Sequence, residues 1–414
     1  MEAFVPIICL VSLVLAIVIG VVRKMNVGLV AVIFAFAVGY FIVEIPQKDI
    51  YVKGWPTQVF FMSIAVMMLF GVAQLNGTMK KLVQGMVYLT KGNDKLLPFA
   101  MFIGSTALCA LGAGVPFCGA LLPIAFAIAV ERKIDPLLMC LSTANGVMAG
   151  GLSPLAIHGA TAASLGGQVG VENYLPIWLC VIITMIMNTI IVYIVRKGYK
   201  IPNAEHDKAG AIEKLDKKQM LTLAVILTVV ILALVLQYDI GLIAFCGGAF
   251  LILLGCADEK EVIKGLPWPI MLLIGGVSIL VSVVNAGGGI TYLADALSNS
   301  ITDVTATGIM AILGGLMSAV SSSVGVVMPT LIPIAGELSK SLGVSASALV
   351  AGIVVGSNLV VVSPLSTVGG ISMASLPENI DKNDFFKKLL FAAVLYTLSG
   401  ALLGFLGVYG WIVG

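Results

Sequence analysis

Charge is what this sequence has least of. Lys, Arg, Asp and Glu together make 11% of its 414 residues, where a soluble domain of ordinary composition carries about 25%. That shortfall excludes a soluble globule and a disordered chain, both of which need a charged, solvated surface. Cysteine is sparse too: Cys9, Cys109, Cys118, Cys140, Cys180, Cys246 and Cys256 are odd in number, scattered through apolar segments or their ends, and form no C-x-x-C pair. They exclude a disulfide scaffold or a Cys/His metal framework and fit free, membrane-buried thiols. There is no P-loop, no H-E-x-x-H and no intramembrane aspartate pair. Ser153 and His158 lie five residues apart with no third group to orient them, so no enzyme class is indicated. Nothing in a net charge of +2 calls for a nucleic-acid partner.

What the chain does have is apolar length. Hydrophobic residues make up 59% of it, enough to fill roughly twelve transmembrane helices at about 20 residues each. The runs are too long and too uniform for barrel strands, so the expected class is an all-α protein whose partner is the lipid bilayer. The first run starts at Ala3 with no basic residue ahead of it, so no signal peptide is expected.

Some runs are too short to span alone. The stretch 96–112 meets Gly112, Gly114 and Pro116, and a short apolar piece then ends at Glu131-Arg132-Lys133. Two half-length helices around such a break suggest a re-entrant hairpin. The stretches 304–320 and 328–340, separated by Ser321-Ser322-Ser323, repeat the design. The repetition is general. Lys53-Gly54-Trp55-Pro56 recurs as Lys264-Gly265-Leu266-Pro267, Leu121-Leu122-Pro123 as Leu331-Ile332-Pro333, and Ser153-Pro154-Leu155 as Ser363-Pro364-Leu365, at offsets of 210 or 211. Val27-Gly28-Leu29 has its echo at Ile240-Gly241-Leu242, an offset of 213. The chain therefore reads as two homologous halves, 1–196 and 219–414, joined by a charged linker at 197–218.

If each hairpin enters and leaves on one side, each half makes five crossings, and an odd number inverts one half relative to the other. With the N-terminus outside, 20 of the 23 Lys and Arg fall in cytoplasmic loops, leaving only Lys48, Lys53 and Lys340 outside. The positive-inside rule selects that orientation. The expected fold is two inverted repeats, each of five transmembrane helices plus one re-entrant hairpin, with broken helices at the midplane and both termini outside. Twelve plain spans are the alternative, but they carry Glu131-Arg132-Lys133 to the outer face.

The stretch Gly150-Gly151-Leu152-Ser153-Pro154 lies inside an apolar run of about 30 residues, long enough for two half helices around an unwound piece. Ser153 suits an N-cap and Pro154 a first helical position, so a helix is expected to start there, and another at Ser363-Pro364 after Asn358. Two half-helix N-termini facing one cavity offer free N–H groups and positive dipole ends to a small dianion. The hairpin tips, Gly114 to Pro116 and Ser321 to Ser323, would add oxygen donors for a cation. The plainer reading is that Gly and Pro merely kink two packed helices. No Asp, Glu, Lys or Arg lies well inside a span, and His158 is the one titrating candidate there, either a proton carrier or substrate donor or a histidine satisfied by a carbonyl. Sodium coupling needs no carboxylate and ranks above proton coupling. Broken helices in inverted repeats favour a carrier over an anion channel. Amphipathic stretches at 77–91 and 287–300 precede the hairpins as interfacial helices or surface loops.

The stretches WPTQVFFMSIAVMMLFGVAQLNGT (55–78), GVMAGGLSPLAIHG (146–159) and VVVSPLSTVGG (360–370) resemble the MatC-type malonate/dicarboxylate carriers of the ion-transporter superfamily, and the likeness runs over nearly the whole chain. The chain is also distantly similar to divalent anion/sodium symporters, which implies a homodimer in the cell (inner) membrane and an elevator mechanism. Those symporters carry Ser-Asn-Thr triplets at both hairpin tips, and this sequence has neither; Ser153, Pro154, Ser363 and Pro364 match best. The expectation is import of a small dicarboxylate of malonate or C4 size with sodium. Ser153, Pro154, His158, Ser363, Pro364, Ser366, Thr367, Ser323 and Pro116 would line the substrate, and Gly114, Gly151, Ser321, Ser322, Val362 and Asn358 the cation. A sodium/proton or oxyanion exchanger on the same scaffold is the alternative.

Overall fold

The computed structural model describes residues 4–88, 90, 93–202, 214–234, 236, 238–266, 268–298, 301–320 and 322–414. Half of the expected linker (203–213), Ser321, and parts of both amphipathic stretches lie outside those residues. The described residues form helices and turns and no strand.

The first half contains α1 (Val5–Val22), α2 (Val27–Phe41), α3 (Gln47–Gly54), α4 (Thr57–Leu75), α5 (Thr78–Tyr88), α6 (Leu97–Leu108), α7 (Cys118–Glu131), α8 (Pro136–Gly151), α9 (Ile157–Gln168) and α10 (Leu175–Val195). The second follows the same order: α11 (Lys217–Leu234), α12 (Ile240–Leu253), α13 (Glu259–Lys264), α14 (Trp268–Ala286), α15 (Gly289–Ser298), α16 (Asp303–Val320), α17 (Met328–Leu342), α18 (Ala346–Leu359), α19 (Thr367–Ala374) and α20 (Lys382–Phe405), with α21 (Val408–Val413) appended. Helix starts repeat as well. Asn26 caps α2 by accepting from the Gly28 amide at 2.9 Å, and Asp239 caps α12 by accepting from Leu242 at 2.8 Å.

Among the described residues, five helical segments are long and apolar enough to cross a membrane: Asp94–Gly112, Leu175–Val195, Trp268–Ala286, Ala346–Ala374 and Lys382–Phe405. Shorter apolar helices, α1, α2 and α12 among them, accompany these. At 1.5 Å per residue, α2 and α12 reach only about 21–23 Å, less than a hydrocarbon core of about 30 Å. The chain is thus an all-helical, multi-pass membrane protein. The halves interlock: α2 lies on α14, and α12 lies on α4.

Both expected breaks between hairpin arms are present. After α6 the helix widens into a π-type turn over Cys109–Ala113, and Gly112 and Gly114 then adopt φ of +122° and +66°, where a side chain would be strained. A 3₁₀ turn at Val115–Phe117 leads into α7. In the second half Ser322 caps a π-type turn at Ser323–Val327 before α17, and the arms Asp303–Ala319 and Ser323–Leu342 are bent by 119°. Each first arm lies close against the helix before a broken-helix turn. A Cβ on Gly146 of α8 would sit 2.3 Å from the Phe102 carbonyl of α6, and one on Gly356 of α18 would sit 2.0 Å from the Ala311 carbonyl of α16. Only bare Cα positions allow such backbone contact, the usual device for close helix packing in membranes.

One sequence expectation is corrected. No helix begins at Ser153-Pro154 or at Ser363-Pro364; α9 starts at Ile157 behind Ala156, and α19 at Thr367 behind Ser366. The Ser-Pro pairs instead build β-turns. The Ser153 carbonyl accepts from Ala156 at 3.0 Å and the Ser363 carbonyl from Ser366 at 2.9 Å. Proline at the second turn position presets φ, and each serine hydroxyl accepts from the amide two residues on, at 3.2 Å for Leu155 and 3.3 Å for Leu365. A local side-chain bond of that kind competes with helix initiation, and here it wins for one turn.

Candidate functional site

Breaking a helix inside a membrane frees backbone groups that must find partners. In the first half nearly every freed carbonyl near the break is taken. The Trp178 indole of α10 donates to the Ala149 carbonyl at 2.7 Å, and the Tyr174 hydroxyl to the Leu152 carbonyl at 3.1 Å. The Ser153 hydroxyl, 1% exposed, donates to the Ala110 carbonyl of the hairpin tip at 2.6 Å. At that tip the Gly114 carbonyl accepts from the Cys109 thiol at 3.3 Å and from the Phe117 amide at 3.2 Å. Gly151 lies against Val115 and Gly114. Ser153 is therefore a tether between the broken helix and the hairpin, with its proton already used.

His158 is the second residue of α9. It is buried, and its Nδ1 has no hydrogen-bond partner. An unpaired buried nitrogen is costly, which sets this histidine apart from one satisfied by a carbonyl.

The second half is built differently. The Ser323 hydroxyl of the hairpin turn donates to the Ser357 hydroxyl of α18 at 2.8 Å. Asn358 Nδ2 donates to the Val354 carbonyl at 2.7 Å and to Ser357 Oγ at 3.3 Å, leaving Asn358 Oδ1 buried without a partner. The sequence reading missed Ser357, because a serine in mid-helix gives no signal until the hairpin serine is seen to touch it. It also missed Tyr174 and Trp178, although two aromatic donors one turn apart at a helix start were a usable clue. Ser322 turns inward on its own backbone: its hydroxyl accepts from Gly325 at 3.1 Å, and its carbonyl accepts from Val326 and Val327. The turn Ser363–Ser366 is more open than its counterpart, with Leu365 and Thr367 exposed.

Of the residues singled out from sequence, the fold brings Ser153, Gly151 and Gly114 together in one half, and Ser323 and Asn358 together in the other. Val362 lies beneath Gly369, whose Cβ would fall 2.4 Å from its carbonyl. Pro154 and Pro364 shape their turns. Ser321 and the side chain of Pro116 lie outside the described residues.

The geometry at both turns is matched glycine for glycine. A Cβ on Gly159 would meet the Ser153 carbonyl at 1.9 Å, and one on Gly369 the Ser363 carbonyl at 2.0 Å. The start of each half helix folds back tightly on its own Ser-Pro turn. Residues 4–151, which end just before the first of these turns, match the family model described as the N-terminus of the dicarboxylate carrier protein MatC. That segment is MatC-like. No curated protein sequence matches the chain significantly. Among solved structures, the YdaH transporter of Alcanivorax borkumensis is similar with a TM-score of 0.62 at 17% identity, covering 88% of each chain. MtrF of Neisseria gonorrhoeae, described as illuminating a class of antimetabolite efflux pumps, is similar with a TM-score of 0.56 at 14% identity, over 87% of this chain and 82% of that one. At such identities these likenesses speak for a shared fold. The matched segment is thus similar to a dicarboxylate carrier's N-terminus, and both of these structures of similar fold are described as a transporter or an efflux pump.

Proposed function

We propose that the protein is a secondary active carrier for a small dicarboxylate of malonate or C4 size, built as two inverted repeats and coupled to sodium. The observation that carries the reading is the matched pair of Ser-Pro turns, each followed by a half helix whose first amides lack an intrahelical partner, in a region without Asp, Glu, Lys or Arg. Such ends hold anions by dipole and N–H donation, and MatC-type carriers supply the substrate class. Ser363, Ser366 and Thr367 at the open turn bind one carboxylate, and the start of α9, with His158, faces the other.

Sodium fits the second half better than the first. Asn358 Oδ1 is a buried oxygen without a donor, on a side chain whose Nδ2 reaches the Ser357 hydroxyl that Ser323 also meets, and oxygen donors of that kind suit a hard cation. In the first half the carbonyls at Ala110, Gly114, Ala149 and Leu152 are engaged. One cation site, formed by the second half, is therefore the reading. The hairpins and broken helices, packed together through Gly146 and Gly356, move as a unit against a dimerised scaffold that contains α2, α4, α12 and α14.

Purified protein in liposomes should accumulate labelled malonate or succinate under an inward sodium gradient. Absence of uptake for every di- and tricarboxylate tried would remove this reading. A second reading, a proton-coupled exchanger, draws on the unpartnered Nδ1 of His158; accumulation driven by a pH gradient without sodium would favour it.

A further inference from the structure

A cavity of about 300 Å³ opens between the turn at Lys53–Pro56, α14, and the two elements α9 and α17. It is roomy enough for several waters. Its α14 wall is a polar stripe, Ser278, Ser282 and Asn285, at the spacing of one helix face. A membrane helix carries such a stripe where it lines a wet space.

The cavity stops short of the half-helix start. Ser278 of α14 lines it, and Ile274, about 6 Å further along the same helix, is 4% exposed. Leu165 of α9 lines it, and Ile157, about 12 Å back along α9, is 3% exposed. Ile157, Ile274 and Val324 form a small apolar cluster with Met67 and Ile270 against it, and Met67 also packs on the main core. Its three members come from three elements: the first residue of α9, the middle of α14, and the turn after Ser323. Two of them lie beside residues of the candidate site: Ile157 precedes His158, and Val324 follows Ser323.

We propose that the cavity is the solute entrance on the Lys53 face, and that Ile157, Ile274 and Val324 are the gate that closes it off from the half-helix ends. Three apolar side chains meeting across a narrow gap exclude water and ions by dewetting. Their contact depends on where α9 and the second hairpin turn stand relative to α14, so a shift of those two elements parts them. The proposal rests on the carrier reading for its meaning, but its geometry is testable without transport.

Ser282→Cys, Asn285→Cys and His158→Cys are each placed in the full chain carrying Cys246→Ser, because Cys246 is the exposed cysteine and the other six are buried. Sealed vesicles of either orientation are treated with a charged, membrane-impermeant methanethiosulfonate. Ser282→Cys and Asn285→Cys should label from one side only, and from that side His158→Cys should label at least about tenfold more slowly, as a dewetted gate requires. Adding Ile274→Ala should raise the His158→Cys rate and leave the Asn285→Cys rate unchanged. Val324→Ala serves where Ile274→Ala fails to elute as a single species. The proposal is overturned by no labelling at 285 from either side, by equal rates at 158 and 285 with the gate intact, or by gate variants that leave the rate at 158 unmoved. A protein that moves no dicarboxylate yet shows the expected labelling would discard the substrate and keep the gate.

Discussion

The Ser399 hydroxyl of α20 donates to Asn188 Oδ1 of α10 at 3.0 Å, across 211 positions of sequence. That separation is the offset at which the motifs of the first half recur in the second. α10 and α20 thus meet through residues one such offset apart. Nearby, Asn145 of α8 donates to Thr189 at 3.0 Å and to Tyr396 at 2.9 Å. The bonds to Ser399 and Tyr396 tie the first half to the last long helix of the second.

A double-mutant cycle on Asn188→Ala and Ser399→Ala should give a coupling energy of about 0.6 kcal/mol, the usual size for a side-chain hydrogen bond between membrane helices. Thermal unfolding in detergent reads it. Additive single effects would mean that the two side chains do not interact.

Gly159→Ala and Gly369→Ala should each abolish the folded carrier, because the new Cβ would overlap a carbonyl at 1.9 or 2.0 Å. Gly167→Ala and Gly370→Ala meet nothing within 4 Å and should behave as wild type. Yield of monodisperse protein is the measurement. Normal yield of both Gly159→Ala and Gly369→Ala would contradict the tight turns.

Ser153→Ala and Ser363→Ala should differ. The first breaks a buried bond to the Ala110 carbonyl and should cost about 1–3 kcal/mol of stability. The second removes only a local contact to Leu365, so melting should barely change while substrate uptake falls. Equal melting losses, or unchanged uptake by Ser363→Ala, would argue against the assigned roles.

Asn358→Ala should raise the sodium concentration needed for half-maximal uptake at least about tenfold, a loss of roughly 1.4 kcal/mol of ion binding. A Ser322 variant is not expected to match it, since the Ser322 oxygens are engaged locally. Unaltered sodium dependence in Asn358→Ala would take the cation away from this site.

His158→Gln separates the coupling ions. A sodium-coupled carrier should retain its response to a sodium gradient in this variant. A proton carrier that uses His158 should lose accumulation driven by a pH gradient.

The sequence by itself determined the solvent, the helices and the places where they fail. A chain with 11% charge must live in lipid, runs of apolar residues set helix lengths, and Gly112, Gly114 and the two Ser-Pro pairs mark breaks through local backbone preferences. The repeat offset was legible for the same reason, because each anchor is a short local motif. Tertiary structure alone decided which freed carbonyls found donors: Trp178 and Tyr174 reach Ala149 and Leu152 from 29 and 22 positions away, and Ser153 reaches Ala110 from 43. It moved the helix starts from Ser153 and Ser363 to Ile157 and Thr367, since the competing hydroxyl bond shows only once the turn is formed. It also joined Ile157, Ile274 and Val324 into one cluster. Such contacts join residues far apart along the chain, and no local pattern records whether a buried polar group has met its partner.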